Sequence, residues 1–262
     1  MNAPRGVQLS VIIPCYNEEV CLAGTLRRVT DYLNGRRFNY EILVVSDGST
    51  DDTAAVAKAM AADDPRIRVI DYRSNRGKGY AIRQGIARAR GAAVLCSDAD
   101  LSTPIEELEH LASHLADGYD VIIGSRAIAG ATLVVRQPWW REFLGRCFNK
   151  VVRILAVRGY RDTQCGFKLF SHRAARDIFS NLVIDRWTFD VEALVVAGKQ
   201  GYGVKEVPVT WSHSSQSKVS VLRDGARTVW DLLRIRVRWW GRRPACARHR
   251  LGESSVPSST AP

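Results

Sequence analysis

The most informative absence in this 262-residue chain is a long hydrophobic run. No stretch approaches the roughly 18 consecutive apolar residues that a membrane-spanning helix needs, so we expect no integral membrane protein. The first ten residues also lack the apolar core of a secretory signal, and we expect none there. The hydrophobic content of 46% is nevertheless ample for a packed core, which excludes an intrinsically disordered chain.

Cysteine is scarce and irregularly spaced. The six cysteines occupy positions 15, 21, 96, 147, 165 and 246, without any C-x-x-C pair. This spacing argues against a zinc site and against a disulfide framework. We therefore expect reduced thiols and a cytoplasmic location.

Two glycine-rich nucleotide motifs are missing as well. The first predicted strand is followed by Pro14-Cys15-Tyr16-Asn17-Glu18 instead of G-x-G-x-x-G, which disfavours NAD-type binding. Gly77-Lys78-Gly79 lacks the spacing of a P-loop, so that motif is excluded. These glycines still allow close backbone approach, and Lys78 supplies a cation at a predicted helix start. That combination favours a phosphate ligand.

Positive charge is concentrated in two places. The formal net charge is +11, but residues 136–158 alone carry +5 and residues 218–250 carry +8. The rest of the chain is therefore close to neutral, at −2. Two basic segments on a near-neutral body indicate a localised anionic partner.

The first half of the chain alternates strand and helix patterns. The predicted strands are Leu9–Pro14, Glu41–Val45, Arg66–Ile70, Ala92–Ser97 and Asp120–Gly124. The predicted helices are Glu18–Leu33, an Ala-rich helix that opens at Thr50, Lys78–Arg90 and one from Pro104 through Leu115. Repeated β-α-β units predict one α/β domain over residues 1–243, with a mostly parallel sheet flanked by helices. Residues 244–262 are predicted to be a disordered tail.

Ligands of such sheets bind beyond the carboxyl ends of the strands. Asp98-Ala99-Asp100 follows the fourth predicted strand. If this segment is extended, both carboxylates point to one side and suit a hard cation such as Mg²⁺ or Mn²⁺. The metal could hold a diphosphate and stabilise it as a leaving group. Two solvated turn carboxylates are the alternative, and the position after a strand favours the metal.

Asp47 follows the second predicted strand and has two comparably supported interpretations. Its carboxylate could accept hydrogen bonds from a base edge or a ribose. It could equally stabilise a turn or cap a helix, which is common for Asp before Gly-Ser. The sequence pattern leaves both open.

Two segments rich in Trp and Arg, at about 139–157 and 221–240, are predicted to be amphipathic helices. The second has one apolar side, formed by Leu222, Ala226, Val229, Leu233, Val237 and Trp240. Such helices could pack on the core with arginines in solvent, bind nucleic acid, or dock on an anionic bilayer. Tryptophans beside arginines favour the membrane interface.

The motifs resemble those of the family 2 glycosyltransferases of GT-A fold, and within them the dolichyl-phosphate β-glucosyltransferases and related polyprenyl-phosphate sugar synthases. The resemblance rests on residues 11–19, Asp47–Thr50, Arg76–Gly79 and Asp98–Asp100. Its most specific part is the ten-residue stretch Arg161–Phe170. Further matches are Arg186-Trp187, Phe189–Glu192 and Ser217-Lys218, whereas Ser46 stands where the superfamily commonly has Asp.

The resemblance implies a role for each matching residue. The nucleotide-sugar donor would contact Pro14, Tyr16, Glu18, Asp47, Lys78, Asp98, Gln164 and Lys218. Asp100 would ligate the Mg²⁺ or Mn²⁺ ion and, with Asp98 and Arg126, would form the catalytic set. Arg126, Arg146 and Lys168 would bind the acceptor.

The implied reaction is inverting transfer of glucose from UDP-glucose to a polyprenyl phosphate, by an enzyme peripheral to the cytosolic face of a membrane. A phosphate monoester has a second pKa of about 6, so the acceptor is largely a dianion and needs no general base. The protein must instead align the reactants and neutralise the departing diphosphate. GDP-mannose and UDP-N-acetylglucosamine remain alternative donors. A non-catalytic protein that binds nucleic acid or membranes is the alternative from another class, resting on the basic segments alone.

Overall fold

The computed structural model describes residues 6–36, 39–135, 159–213 and 221–239, together with residues 152, 156, 157 and 241; of residues 221–226 only the backbone is described. The predicted helix at 139–157, apart from three isolated residues, and the tail at 244–262 lie outside this range. In chain order the elements are β1 (Leu9–Cys15), α1 (Glu19–Gly35), β2 (Tyr40–Asp47), α2 (Thr53–Asp63), β3 (Ile67–Tyr72), α3 (Lys78–Arg88), β4 (Ala93–Cys96), a 3₁₀ turn (Ile105–Glu107), α4 (Leu108–Ala116), β5 (Val121–Ser125), β6 (Thr132–Val135), β7 (Lys168–Ser171), α5 (His172–Ser180), α6 (Phe189–Gln200), β8 (Val204–Pro208), β9 (Thr210–Ser212) and α7 (Val221–Trp239).

Seven of these strands form one sheet in the order β3-β2-β1-β4-β7-β5-β8. β1 pairs in parallel with β2 and β4, β2 with β3, and β5 with β8. Within this sheet β7 alone is antiparallel to its neighbours, β4 and β5. β6 and β9 form a separate two-stranded parallel ladder. The predicted α/β fold, a mostly parallel sheet flanked by helices, is confirmed.

The elements of the first half lie where the hydrophobic pattern placed them. Strands β1 to β5 and helices α1 to α4 begin or end within three residues of the predicted boundaries. The antiparallel strand β7 has no counterpart in the prediction, although it begins inside the stretch Arg161–Phe170. The four cysteines that the structure describes, at positions 15, 21, 96 and 165, form no disulfide with one another.

Both faces of the sheet are covered because its central strands are apolar on both sides. In β1, Ile12 packs on the side of α3, α5, α6 and α7, whereas Val11 and Ile13 pack on the side of α1, α2 and α4. Because β1 pairs in parallel with β2 and β4, the carboxyl ends of these three strands are neighbours at one edge of the sheet. The loops that follow these strands are the ones that carry the predicted site residues.

Helix α7 has two apolar faces, and the sequence pattern identified only one of them. Its buried face consists of Leu232, Ile235 and Trp239, which join the core on the α6 side of the sheet. The predicted apolar side, where the structure describes its side chains, is exposed at Val229, Leu233 and Val237, beside an exposed Trp230. In the part of the chain that the structure describes, no helix is both long and apolar enough to cross a membrane.

Candidate active site at the carboxyl edge of the sheet

Asp47 organises the loop that leads into α3. Its buried carboxylate accepts hydrogen bonds from the backbone N–H groups of Arg76, at 2.8 Å, and Gly77, at 2.7 Å. Burial and the nearby Asp47 carboxylate raise the pKa of Tyr72. Gly48 has a φ of +66°, and a Cβ there would lie 2.4 Å from the backbone nitrogen of Asn75. Asp47 thus stabilises a loop that is distant in sequence, and its contact with a nucleotide stays a prediction.

Lys78 and Asp98 form an ion pair at the start of α3. Lys78 Nζ lies 2.5 Å from Asp98 Oδ1 and 5.5 Å from the ring centroid of Trp187. Burial opposes both charges, but their mutual attraction outweighs it, so the pKa of Lys78 is raised and the pKa of Asp98 is lowered. A Cβ at Gly166 would lie 2.0 Å from Asp98 Oδ2, so only glycine fits against this carboxylate.

Asp100 does not follow Asp98 along an extended backbone, so that premise of the sequence analysis is wrong. β4 ends at Cys96, and the backbone forms a turn at Ala99-Asp100, followed by Leu101 with a φ of +46°. The carboxylate of Asp100 accepts hydrogen bonds from the backbone N–H and the hydroxyl of Ser102, at 3.0 and 2.8 Å. The turn thus gives the two aspartates different partners.

The acidic groups at this edge fit a metal that the substrate helps to hold. Among the described residues, no group of three or more His, Cys, Asp or Glu side chains could hold a metal ion by itself. Mg²⁺ and related ions are commonly bound by one or two carboxylates plus substrate phosphates. Asp98 already pairs with Lys78, whereas no cationic side chain of the described residues lies within 4 Å of Asp100. Asp100 is therefore the better candidate ligand.

Arg126 is held in place by Asp162, a residue that the sequence analysis quoted within a motif without giving it a role. Arg126 Nε and Nη2 donate to the two carboxylate oxygens of Asp162, at 2.6 and 2.9 Å. The backbone N–H of Arg126 donates to the same carboxylate, at 3.0 Å. Burial alone would raise the pKa of Asp162, but the guanidinium outweighs burial and lowers that pKa to about 2. The Arg126 guanidinium also lies 5.3 Å from the ring centroid of Trp211.

Lys168 is not placed to bind an acceptor at the surface, which corrects the prediction for this residue. Its side chain is 5% exposed, and Nζ lies 2.6 Å from Asp190 Oδ1 and 2.5 Å from the carbonyl oxygen of Cys165. A buried ammonium is stable only when it is paired in this way. Lys168 therefore links α6, through Asp190, to the 161–170 stretch, through Cys165, in the protein interior.

The remaining predicted residues occupy different surroundings. Pro14 lies in β1 opposite Val45, and Tyr16 is half-exposed just beyond that strand. Glu18 accepts a hydrogen bond from the thiol of Cys21, at 3.3 Å. The backbone N–H of Gln164 donates to Asp162. Arg146 and Lys218 lie outside the described residues.

Ser46, at the position where a second Asp is common, lies at the end of β2 and contacts the loop that follows it. It is fully buried opposite Asp71 of β3, and its hydroxyl donates a hydrogen bond to Ser49 Oγ, at 3.4 Å. The substitution therefore lies between the β2–β3 pairing and the loop after β2.

The carboxyl edge of this α/β sheet brings together an acidic turn, an ion-paired lysine and an ion-paired arginine, at the place where sheets of this class bind their ligands. The sequence model described as Glycosyl transferase family 2 matches residues 10–179, and the chain belongs to that family. The predicted enzyme class, a glycosyltransferase, is thereby confirmed.

Relatives of known name match most of the chain. It is 36% identical over 250 residues to the dolichyl-phosphate beta-glucosyltransferase of Dictyostelium discoideum, an alignment that covers 91% of this chain and 76% of that protein. It is 38% identical over 245 residues to the Homo sapiens protein of the same name, covering 88% of this chain and 76% of that protein.

Solved structures share the fold at lower identity. The mannosyltransferase PcManGT from Pyrobaculum calidifontis, in complex with GDP-Man and Mn²⁺, has a TM-score of 0.61 at 19% identity and covers 88% of this chain and 64% of that one. Glucosyl-3-phosphoglycerate synthase from Mycobacterium tuberculosis, with Mn²⁺ and UDP-glucose, has a TM-score of 0.61 at 18% identity and covers 88% and 79%. The GT-A architecture that the motifs implied is confirmed.

Gly166→Ala tests whether the position of Asp98 matters for the reaction. The added methyl group must displace the Asp98 carboxylate, and a shift of about 1 Å at such a site costs about 10²-fold in rate. We expect kcat/KM for glycosyl transfer to fall by that order while the protein stays folded. Gly24→Ala in α1, where a Cβ would have no atom within 4 Å, is the control. Equal activity of the two variants would contradict this assignment.

The Arg126–Asp162 pair predicts a pH-dependent contribution to stability. The pKa of Asp162 is about 2 in the folded protein against an ordinary 3.8, so the pair stabilises the fold above about pH 4 and loses this effect as the pH falls through 2. The shift corresponds to about 2 kcal/mol. We expect Asp162→Asn to lower the free energy of unfolding by at least this amount at pH 7, and by progressively less below pH 4, in urea titrations.

The exposed Asp63, at the end of α2, provides the control for this measurement. Asp63→Asn should change the free energy of unfolding by less than about 0.5 kcal/mol. A deficit of Asp162→Asn that did not depend on pH would show that the ion pair is not its cause.

Proposed function

We propose that this protein transfers glucose from UDP-glucose to a polyprenyl phosphate of dolichyl type, with inversion at the anomeric carbon. The observation that carries the proposal is the Lys78–Asp98 pair, together with Asp100 and the Arg126–Asp162 pair, at the edge where sheets of this class bind ligands. Relatives named dolichyl-phosphate beta-glucosyltransferase, which align over about nine tenths of the chain, support glucose and dolichyl phosphate as substrates.

The donor would lie over the carboxyl ends of β1, β2 and β4. Its nucleotide would contact Pro14, Tyr16, Glu18, Asp47, Lys78, Asp98 and Gln164, with Lys218 near the diphosphate. Asp47 would act largely through the loop that it holds, because two backbone N–H groups already occupy its carboxylate. Lys78 would stabilise the negative charge that develops on the diphosphate.

Asp100 would hold Mg²⁺ or Mn²⁺ against the diphosphate. When bound, the metal supplies positive charge that makes UDP a better leaving group. Asp98, paired with Lys78, would orient the sugar or the ribose. Asp98, proposed for the donor, and Arg126, proposed for the acceptor, are close enough to interact electrostatically. The sugar and the acceptor phosphate would therefore meet between these two side chains.

The acceptor phosphate would lie against Arg126. The guanidinium is fixed by Asp162 on one side and lies near the ring of Trp211, so its position is set before substrate binds. A dianionic phosphate needs no general base, and its attack requires alignment above all. Arg146, outside the described residues, remains a predicted second contact, while Lys168 no longer belongs to this set.

We further propose that the enzyme attaches peripherally to the cytosolic face of an anionic membrane through α7. The exposed face of this helix carries Val229, Trp230, Leu233 and Val237. On a helix with 100° per residue these side chains span about 100°, with Arg236 beside one edge and Arg227, Arg234 and Arg238 beside the other. An apolar stripe between arginines is the pattern of a helix that lies in the bilayer interface.

Substrate choice is tested with purified protein and a panel of sugar nucleotides. We expect kcat/KM for a polyprenyl phosphate acceptor to be at least about tenfold higher with UDP-glucose than with GDP-mannose or UDP-N-acetylglucosamine. Asp100→Ala should lower this activity by about 10²-fold or more, because the metal loses its carboxylate. Asp63→Ala, at an exposed acid outside the site, is the control.

A preference for another donor would reassign the sugar and leave the reaction class intact. Full activity of Asp100→Ala would remove the metal from the proposal. Salt-sensitive binding of duplex DNA, without binding of any sugar nucleotide, would favour the non-catalytic alternative.

Membrane attachment is tested with Val237→Asp. Val237 is 77% exposed in the stripe, and Val20 of α1 is 78% exposed elsewhere, so Val20→Asp makes the same change of charge and size at a matched site. We expect Val237→Asp to lower partitioning onto anionic vesicles by about tenfold, since it removes apolar area and adds repulsion from the lipids. Equal sedimentation of the two variants with vesicles would rule out docking through α7.

A further inference from the structure

A basic cavity adjoins the loop that carries Lys78 but has a lining of its own. It has a volume of about 310 Å³ and lies between α7, the loop after β3 and the segment before α6. Its charged walls are Arg76, Arg186, Arg227, Arg234, Asp185 and Asp231. Among the described residues that line it are none of Lys78, Asp98, Asp100 and Arg126. The cavity is therefore distinct from the site proposed for the donor and acceptor.

The two carboxylates of the cavity already have partners. Asp185 forms an ion pair with Arg83, and Asp231 accepts a hydrogen bond from the hydroxyl of Thr188, at 3.1 Å. Burial raises the pKa of Asp231 in spite of the nearby arginines. Two carboxylates, each with a partner outside the four arginines, leave the positive charge of the cavity only partly neutralised.

The four arginines, by contrast, form no ion pair with a carboxylate of the described residues. None of those carboxylates lies within 4 Å of their guanidinium groups. Arg76 is fixed by the ring of Tyr80, 4.2 Å away, with its backbone N–H bound to Asp47. Arginine groups gathered in a concave surface match the oxygens of a phosphate group, which they bind through paired N–H donors.

The wall opposite α7 is rigid. The buried carboxylate of Glu192 accepts hydrogen bonds from the backbone N–H groups of Val183 and Ile184, at 3.0 and 2.9 Å. On the α7 side, Asp231 accepts a hydrogen bond from the hydroxyl of Thr188, at 3.1 Å. Both walls of the cavity are therefore held by hydrogen bonds, as a specific site requires.

The cavity opens beside the apolar stripe of α7. Arg227 and Arg234 lie about 60° and 40° around the helix from Trp230, on a wheel of 100° per residue. If the stripe rests on a bilayer, both arginines lie at the depth of the lipid headgroups, where arginine side chains extend towards phosphate. Membrane phospholipids supply most of the phosphate at that depth. The polyprenyl phosphate acceptor already has a proposed site at Arg126, so a phospholipid is the occupant that fits this cavity.

We infer that this cavity binds the phosphate group of an anionic phospholipid, at a site separate from that of the polyprenyl phosphate acceptor. The inference rests on the proposed membrane attachment. A bound phosphate would join Arg227 and Arg234 of the membrane helix to Arg76 and Arg186 of the catalytic domain. Through Arg76 it would touch the loop that carries Lys78.

The test uses the full chain and a soluble lipid, dihexanoyl phosphatidic acid below its micelle concentration, with inorganic phosphate as the second ligand. We expect saturable binding of one lipid molecule in calorimetry, and an affinity at least about tenfold lower for Arg227→Gln and for Arg186→Gln. Arg236→Gln makes the same change of charge on the other side of the stripe and should bind as the unchanged protein does. Melting temperatures establish that each variant is folded.

Three results would overturn the inference. They are the absence of saturable lipid binding, equal losses for Arg227→Gln and Arg236→Gln, and inorganic phosphate binding as tightly as the lipid, which would make the cavity a site for soluble phosphate. The experiment is independent of catalysis and vesicles. If the unchanged protein transfers glucose in detergent and attaches to vesicles but does not bind the soluble lipid, this inference alone is refuted. If the unchanged protein fails to transfer glucose or to attach to vesicles, the proposed function is refuted.

Discussion

The ion pair between Lys78 and Asp98 is the contact on which the geometry of the candidate site depends. It joins the first residue of α3 to the loop after β4, and Gly166 lies directly against its carboxylate. Each charge is taken partly out of water and is stabilised mainly by the other, so removal of either would leave an uncompensated charge. Three segments that are distant in sequence are therefore fixed relative to one another by a single electrostatic contact.

Two further ion pairs follow the same rule. Asp190 holds the buried Lys168 inside the protein, and Asp162 holds Arg126 at the candidate site, so Arg126 has its position before any ligand arrives. A site for a diphosphate leaving group works best when its positive charges need no reorientation during the reaction. Carboxylates beside the cations are thus compatible with an anionic substrate. They fix the side chains of lysine and arginine, which would otherwise sample many rotamers.

The sequence predicted the layers of the fold and the edge at which the polar residues meet, because β1 to β5 and α1 to α4 have clear hydrophobic periods and the carboxyl ends of parallel strands lie together. It could not predict the partners of Arg126 and Lys168. Asp162 is 36 residues from Arg126, and the two meet only because β7 enters the sheet between β4 and β5 in the antiparallel sense. The local geometry of Asp98 and Asp100 was missed because the backbone turns at Ala99-Asp100, where the sequence analysis assumed an extended segment.

Helix α7 shows a similar limit of sequence periodicity, here at the protein surface. A pattern with a period of 3.6 residues indicates an apolar stripe but not whether the stripe faces protein, solvent or lipid. Here Leu232 and Ile235, with the hydrogen bond from Thr188 to Asp231, set the rotation of the helix about its axis. Once that rotation is set, Trp230 and the valines and leucine beside it must point outwards. Exposed apolar groups in one contiguous stripe mark an interaction surface. The arginines at both edges of this one favour a lipid interface over a protein partner, because they match the sign of anionic headgroups.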